Sequence, residues 1–376
     1  MKTECSAAVS RTAGLKSARE REQRSSGHPN ARNGLLRSVM HQSAFTRLLL
    51  LAVPLAFAVI VLGAWVRLSD AGLGCPDWPG CYGHLGVPTQ ADDIQFANAA
   101  YPERPVETDK AWKEMIHRYL AGALGLVVLA LAVLAWRRRD QPDQPLVLPM
   151  LLAGLIVFQA MLGMWTVTLQ LKPVVVMAHL LGGLSTIALL WWMLLGRWPP
   201  PAARPSGLRL WALLAFAAVI MQIALGGWTS TNYAALACTD FPTCHGQWWP
   251  KMDFAEGFVL WRGLGVNYEF GVLDSDARTA IHYTHRMGAM LVIAAVGWLV
   301  VKTMRRAHNN RLGMSAAGVG GLLIIQVALG IANVLMTLPL PVAVAHNGVA
   351  ALLLLGVLTL NHLLWRPVAH DTGGAA

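Results

Sequence analysis

The chain has 376 residues, of which 55% are hydrophobic and 13% charged, with a formal charge of +10. The charged residues gather between long apolar runs, which excludes a soluble globule. The positive charge does not point to nucleic acid either, because most basic residues flank apolar segments as membrane proteins place them, so lipid is the expected surrounding and no nucleic-acid partner is expected. In chain order, residues 1–45 mix Ser, Arg and Gly with no apolar stretch. They are no secretory signal and are read as a disordered cytoplasmic tail; a mitochondrial transit peptide and a true start at Met40 are the alternatives. A bilayer core of about 30 Å needs roughly 20 apolar residues at about 1.5 Å each. Eight segments meet this length, at about 46–68, 113–136, 146–169, 174–196, 210–230, 280–303, 313–337 and 341–365. The expected fold class is all-α integral membrane, with eight transmembrane helices.

Twenty of the 30 Lys and Arg residues lie in the N-terminal tail, after span 2, between spans 4 and 5, between spans 6 and 7, or after span 8. The positive-inside bias then puts both termini in the cytoplasm, most simply in a bacterial inner membrane and less so in a mitochondrial one. The chain also repeats itself. A shift of 163 to 168 residues aligns Gly63, Ala64 and Trp65 with Gly226, Gly227 and Trp228. It aligns Cys75-Pro-Asp-Trp-Pro-Gly-Cys81 with Cys238-Thr-Asp-Phe-Pro-Thr-Cys244, and His117-Arg118 with His285-Arg286. Gln159 with Gly163 meets Gln326 with Gly330, and His179 meets His346. The expected organisation is therefore two tandem pseudo-symmetric four-helix bundles, residues 46–197 and 210–366, joined by a cytoplasmic linker at 198–209 and followed by a tail at 367–376. An even number of spans per unit gives both the same sense across the membrane, related by an axis along its normal.

His117 lies about one turn into span 2 and His179 six residues beyond Pro173 in span 4, both within about 10 Å of the non-cytoplasmic helix ends. His285 and His346 repeat this arrangement. A single intramembrane His is as well explained by an interhelical hydrogen bond. Four at matched depth, in two related pairs, point to a functional site. Zinc would want three or four converging ligands with Cys or carboxylate, whereas paired imidazoles between apolar helices suit haem iron. His282, one turn before His285, is the alternative ligand; the Arg following His285 keeps that residue in register with His117. Arg118 and Arg286 need counter-anions, which haem propionates would supply, with snorkelling to headgroups as the plainer reading. Gln159 and Gln326 bond between helices or lend polarity to a pocket. The remaining His84, His245, His308, His362 and His370 have no partner across the repeat and are read as loop or cytoplasmic-end residues.

The halves differ at one informative place: Glu114 aligns with His282, so only the first half carries an acid there. Residues three apart share a helix face about 5–6 Å apart, which sets Glu114 beside His117 at the expected haem edge. A poorly solvated carboxyl group can accept a proton or stabilise a developing cation; an acid favoured by the helix dipole at a helix start is the structural alternative. The first half is thus read as the catalytic one and the second as holding a resident cofactor. The two C-x5-C pairs lie in non-cytoplasmic loops, where thiols oxidise, so disulfides Cys75 to Cys81 and Cys238 to Cys244 are expected, each loop lying as a lid over a haem edge. Exchange with a partner thiol is the weaker reading. Asp77, Trp78, Trp248 and Trp249 are expected to anchor these loops at the interface.

These residues together resemble the haem A synthase family, over roughly residues 46 to 366. The most specific parts are the loop from Leu73 to Cys81, the run Glu114-Met-Ile-His-Arg118, His179, the run His282-Tyr-Thr-His-Arg286, and His346. The resemblance implies haem O as substrate and haem A as product, the C8 methyl group being oxidised to a formyl group by successive hydroxylations. It also implies that His117 and His179 flank the substrate with Glu114 catalytic, and that His285 and His346 hold a haem b that passes electrons. Haem O synthase and cytochrome oxidase assembly factors are the partners it implies, with self-association into a homo-oligomer allowed. The long segment between Cys244 and His282, with Glu256, Arg262 and Glu269, exceeds what a compact member needs and points to additional contacts. Two rivals stand beside this reading: a non-catalytic dihaem b electron carrier, which would need no acid at 114, and a haem transporter or chaperone, which would hold haem loosely and form no product.

Overall fold

The structure is a computed structural model that describes residues 44–141, 144–198, 207–307 and 310–365. Eight long helices are found among them: α1 (Ala44–Leu68), α3 (Thr108–Arg137), α4 (Val147–Thr168), α5 (Pro173–Leu195), α6 (Arg209–Thr231), α8 (Ser275–Arg306), α9 (Asn310–Leu335) and α10 (Leu340–Trp365). Two short ones, α2 (Ala91–Ala100) and α7 (Phe254–Gly257), sit in the loops after α1 and α6. All eight long helices have the length and apolar composition of a membrane crossing. The protein is an all-helical, multi-pass membrane protein. Residues from Leu48 onward form one compact unit; of the unit before it, only Ala44–Arg47 are described, as the first turn of α1. The rest of the expected tail, most of the 198–209 linker, the tail at 367–376, His308 and His370 lie outside the described residues.

Helices α3 and α8 begin about five residues before their apolar runs, because charged first turns that hydropathy discounts are nonetheless helical. In α3 Lys113 pairs with Asp109 one turn away. In α8 the Asp274 side chain caps the helix by accepting from the Ala277 N–H at 2.9 Å, which satisfies one of the orphan donors of a helix start. Pro173 opens α5, where its fixed φ suits the first helical position.

Helix α6 packs on α8 and α10, and α9 on α8 and α10; α3 packs on α4 and α4 on α5, while α5 meets both α6 and α10. The largest apolar core lies among α5, α6, α8, α9 and α10, with Leu184, Ala212, Ala215, Val296, Leu299, Ala316, Leu354 and Leu360 buried. Fully buried Ala212, Ala215, Ala316 and Ala351 let these backbones approach, which matters in lipid, where apolar burial alone does not drive helices together. Leu126, Val133, Leu151 and Ile324 remain exposed, as expected of surfaces that face acyl chains.

The loops after α1 and α6 open on the same turn. Cys75 is bonded to Cys81 and Cys238 to Cys244. Inside the first turn the Asp77 carboxylate accepts from Tyr82 N–H at 2.6 Å and Gly83 N–H at 2.8 Å. Inside the second, Asp240 accepts from His245 N–H at 2.7 Å, Gly246 N–H at 2.9 Å and the Thr243 hydroxyl. Asp77 therefore closes its own loop, a different task from the interfacial anchoring expected of it. The Thr243 hydroxyl and the two amides hold the Asp240 carboxyl down at about 2. Tyr82 and His245 sit at φ 54° and 55°, each followed by a left-handed glycine, Gly83 or Gly246, where only glycine escapes the Cβ penalty.

Candidate functional site

The four histidines singled out by the repeat each lie against a glycine on a neighbouring helix. A Cβ placed on Gly63 of α1 would stand 2.9 Å from His117 Cε1, and one on Gly163 of α4 would stand 3.5 Å from His179 Cε1. On Gly226 of α6 it would stand 3.0 Å from His285 Cε1, and on Gly330 of α9 3.2 Å from His346 Cε1. The rings of His117, His285 and His346 thus occupy slots made by a missing side chain, while His179 lies in ordinary contact distance of the Cβ position at Gly163. The rings fall into pairs within electrostatic reach of each other, His117 with His179 and His285 with His346. Beside His117, His179 and His346 lie the main-chain carbonyls of Val59, Gln159 and Gln326, acceptors for one ring nitrogen of each, the kind of partner a metal-ligating imidazole keeps for its second nitrogen. Among the described residues no three His, Cys, Asp or Glu side chains converge as a metal cluster. Paired imidazoles with nitrogens to spare, seated by glycines between helices, fit an iron ligated from two sides.

Glu114 and His282 occupy matching positions and make matching bonds. The Cys75 N–H donates to Glu114 Oε2 at 3.0 Å, and the Cys238 N–H to His282 Nδ1 at 3.2 Å. The carboxylate of Glu114 also pairs with Arg118, one turn on, and Arg286 Nε lies 3.3 Å from His282 Nε2. Both side chains are buried. His282 is therefore engaged with the disulfide loop, and His285 alone takes the place that corresponds to His117.

Arg118 and Arg286 spread their donors over the loop backbones. Arg118 Nη1 donates to the Asp77 and Gly80 carbonyls at 3.0 and 2.6 Å and to that of Pro79 at 3.3 Å. Arg286 donates to the carbonyls of Thr243, Cys238 and Asp240 at 2.8, 3.0 and 2.9 Å. Each guanidinium thus ties a disulfide loop to the helix that carries a site histidine.

The sequence matches the pattern of the cytochrome oxidase assembly proteins over residues 46–358. It is 48% identical to the haem A synthase of Shewanella oneidensis over 322 residues, covering 84% of this chain and 96% of that protein. The chain belongs to the haem A synthase family. More distant relatives include the haem A synthases of Caulobacter vibrioides, 28% identical over 81% of this chain and 92% of that protein, and of Halalkalibacterium halodurans, 29% identical over 78% and 88%. Membership makes the protein a membrane oxidoreductase, and the matched region contains both disulfide loops, Glu114 and all four histidines.

Several contacts had little signal in the sequence. Gln222 of α6 reaches His285, yet its counterpart in the repeat is Val59, so aligning the halves does not flag it. The long segment after Cys244 crosses onto the first half: Tyr268 N–H donates to the Gln170 carbonyl at 3.1 Å, and Glu269 pairs with Arg104 at 3.3 Å. Lys172, only 2% exposed, donates to the Arg262 and Gly263 carbonyls at 2.7 and 2.6 Å. Arg262 in turn pairs with Glu256 at 2.6 Å. The unusual length and paired charges of that segment were the only clue. His362, read as a cytoplasmic-end residue, is buried edge-on against Trp192 at 4.8 Å.

Proposed function

We propose that the chain is a haem A synthase that oxidises the C8 methyl group of haem O to a formyl group. The single observation that carries this is the unequal pair of sites: two similar histidine pairs, with an acid beside one and a histidine in the same place beside the other. In this reading His117 and His179 bind the substrate iron from two sides, and Glu114 stands at the edge of the same site. Each of two hydroxylations replaces a C–H bond of the methyl group by C–OH and removes two electrons, which leave to an external acceptor, and the resulting hydrate loses water to leave the formyl group. Glu114 accepts a proton or stabilises positive charge as the methyl carbon is oxidised, and Arg118 and the Cys75 amide keep its carboxylate in place. Haem b, held by His285 and His346, supplies one-electron transfer when bound. Donors of Arg118 and Arg286 not turned to the loops are available to propionates.

Two tandem four-helix halves, residues 46–197 and 210–366, are related in this reading by an axis along the membrane normal. The distribution of Lys and Arg supports a bacterial inner-membrane setting with both termini cytoplasmic and the disulfide loops on the oxidising side. A haem O synthase supplies the substrate, and oxidase assembly factors receive the product. Co-expression with a source of haem O, followed by pigment extraction, tests the activity. Wild type accumulates haem A beside haem b; Glu114→Ala and His117→Ala keep haem b and form no haem A. Haem b as sole pigment in the wild type would instead identify an electron carrier.

A further inference from the structure

The loop that follows the second disulfide is turned inside out. Between Phe254 and Val272 its charged side chains are Glu256, Arg262 and Glu269, and each is engaged in an ion pair, Arg262 with Glu256 and Glu269 with Arg104 of the first half. Its large apolar side chains face outward: Leu260, Trp261, Leu264 and Phe270 are 63%, 60%, 70% and 62% exposed. A loop bathed in water shows the reverse, and monomeric soluble proteins rarely leave such a patch uncovered. The segment is also pinned at a definite depth. Four residues, 169–172, join α4 to α5, and three of them hold it. The Gln170 carbonyl accepts from Tyr268 N–H at 3.1 Å, Leu171 shares a buried cluster with Tyr268, Leu73 and Val167, and the Lys172 ammonium donates to the Arg262 and Gly263 carbonyls.

We propose that residues 254–272 form a membrane-surface site, whose apolar side chains lie in the lipid leaflet on the side of the disulfide loops, where headgroups meet acyl chains. Both α4 and α5 have the length and composition of membrane crossings, so a corner of four residues between them cannot rise far from the bilayer surface. Whatever is bonded to that corner shares its depth. Trp261 has the form of an interfacial anchor. The centre of its ring lies 3.5 Å from the Lys172 ammonium, a cation–π contact, while the rest of the side chain is exposed, and Trp is enriched at membrane–water boundaries because its ring is amphipathic. Pairing the charges inward lowers the cost of setting the segment there, since a charge is expensive to remove from water unless it is paired. Lipid, and not a soluble protein, is the occupant that this depth selects. The corner leads directly into Pro173 and α5, which carries His179, so the second half contributes a lipid-anchored border to the first-half site.

Spin labels report these surroundings directly. Four of the five cysteines are in disulfides, so Cys5→Ser gives a background without a free thiol. Into it Trp261→Cys, Leu264→Cys and Phe270→Cys are introduced one at a time, with Asp92→Cys, at an exposed position on α2, as the water-facing reference. In protein reconstituted into phosphatidylcholine bilayers, molecular oxygen is expected to collide with labels at 261, 264 and 270 more often than an aqueous nickel chelate does, with the order reversed at 92. Labels open to the nickel chelate at the three positions would place the segment in water, and labels shielded from both reagents would place it in a contact between protein chains; either result overturns the proposal. Native fluorescence gives a second reading should a labelled variant misfold. Lipids brominated near the headgroup are expected to quench a larger part of the emission in wild type than in Trp261→Phe, and equal quenching overturns the proposal likewise.

Discussion

The glycine slots make a graded prediction. Carbon atoms in ordinary contact sit about 3.5–4.0 Å apart. A Cβ at Gly63 would stand 2.9 Å from His117, at Gly226 3.0 Å from His285, at Gly330 3.2 Å from His346 and at Gly163 3.5 Å from His179. Alanine at 63 or 226 must therefore push its ring away by roughly 0.5–1 Å, at 330 by somewhat less, and at 163 by nothing. Overpacking of this kind costs about 1–3 kcal/mol, but replacing a mid-helix glycine by alanine returns about 1 kcal/mol through backbone propensity. Thermal stability is thus a poor reporter, and the informative quantity is haem bound per polypeptide, by half. Gly226→Ala should deplete haem b, Gly330→Ala should do so more mildly, and Gly63→Ala should spare haem b while haem A formation falls by about 100-fold, the usual scale for a misplacement near 1 Å. Gly163→Ala should behave as wild type. Equal damage from Gly163→Ala and Gly63→Ala, or full haem A formation in Gly63→Ala, would show that the rings do not work from these slots.

Three further predictions concern the acid and the loops. Glu114→His installs the residue that already accepts from the loop amide in the second half, so it should fold and keep haem b but lose haem A formation by at least about 100-fold, the low end for a proton-transfer group; pigment extraction decides. Arg118→Ala leaves the buried Glu114 carboxylate without its ion-pair partner and frees three loop carbonyls, a loss of about 3–5 kcal/mol for such buried pairs, to be read from thermal unfolding and protease cleavage of the 69–90 loop. Arg118→Lys should recover only part of this, since an ammonium cannot span the same set of acceptors. The Asp240 carboxyl sits at about 2, below its ordinary 3.8, so its contribution to loop order is complete above the unfolded value and is lost as pH falls from 3.8 toward 2. Amide exchange at His245 and Gly246 should accelerate across that window, and Asp240→Asn should remove the pH dependence.

The spans were legible because their apolar runs are long, and only the polar first turns of α3 and α8 escaped hydropathy. The four histidines were legible because an ionisable group inside an apolar helix is costly and because each recurs one repeat later. Gly63, Gly163, Gly226 and Gly330 were visible as repeat markers, yet their task required the neighbouring helix, since sequence does not say which ring a missing Cβ accommodates. Arg118 and Arg286 show the converse: their charge announced an anion, while the structure gives most of their donors to carbonyls of the disulfide loops. His282 was ambiguous as a ligand in sequence because it shares a helix face with His285; the bond it accepts from the Cys238 amide, the counterpart of the bond Glu114 accepts from Cys75, had no signal there. Contacts such as Tyr268 on Gln170 and Lys172 under Arg262 join segments about a hundred residues apart, and no local pattern encodes them.

The most direct test compares haem b content across alanine variants of His117, His179, His285 and His346, each purified from cells that make haem O. His285→Ala and His346→Ala should lose haem b, whereas His117→Ala and His179→Ala should keep it and fail to yield haem A. Haem b that survives all four substitutions, or that disappears with the first-half pair, would contradict the division of labour between the two sites.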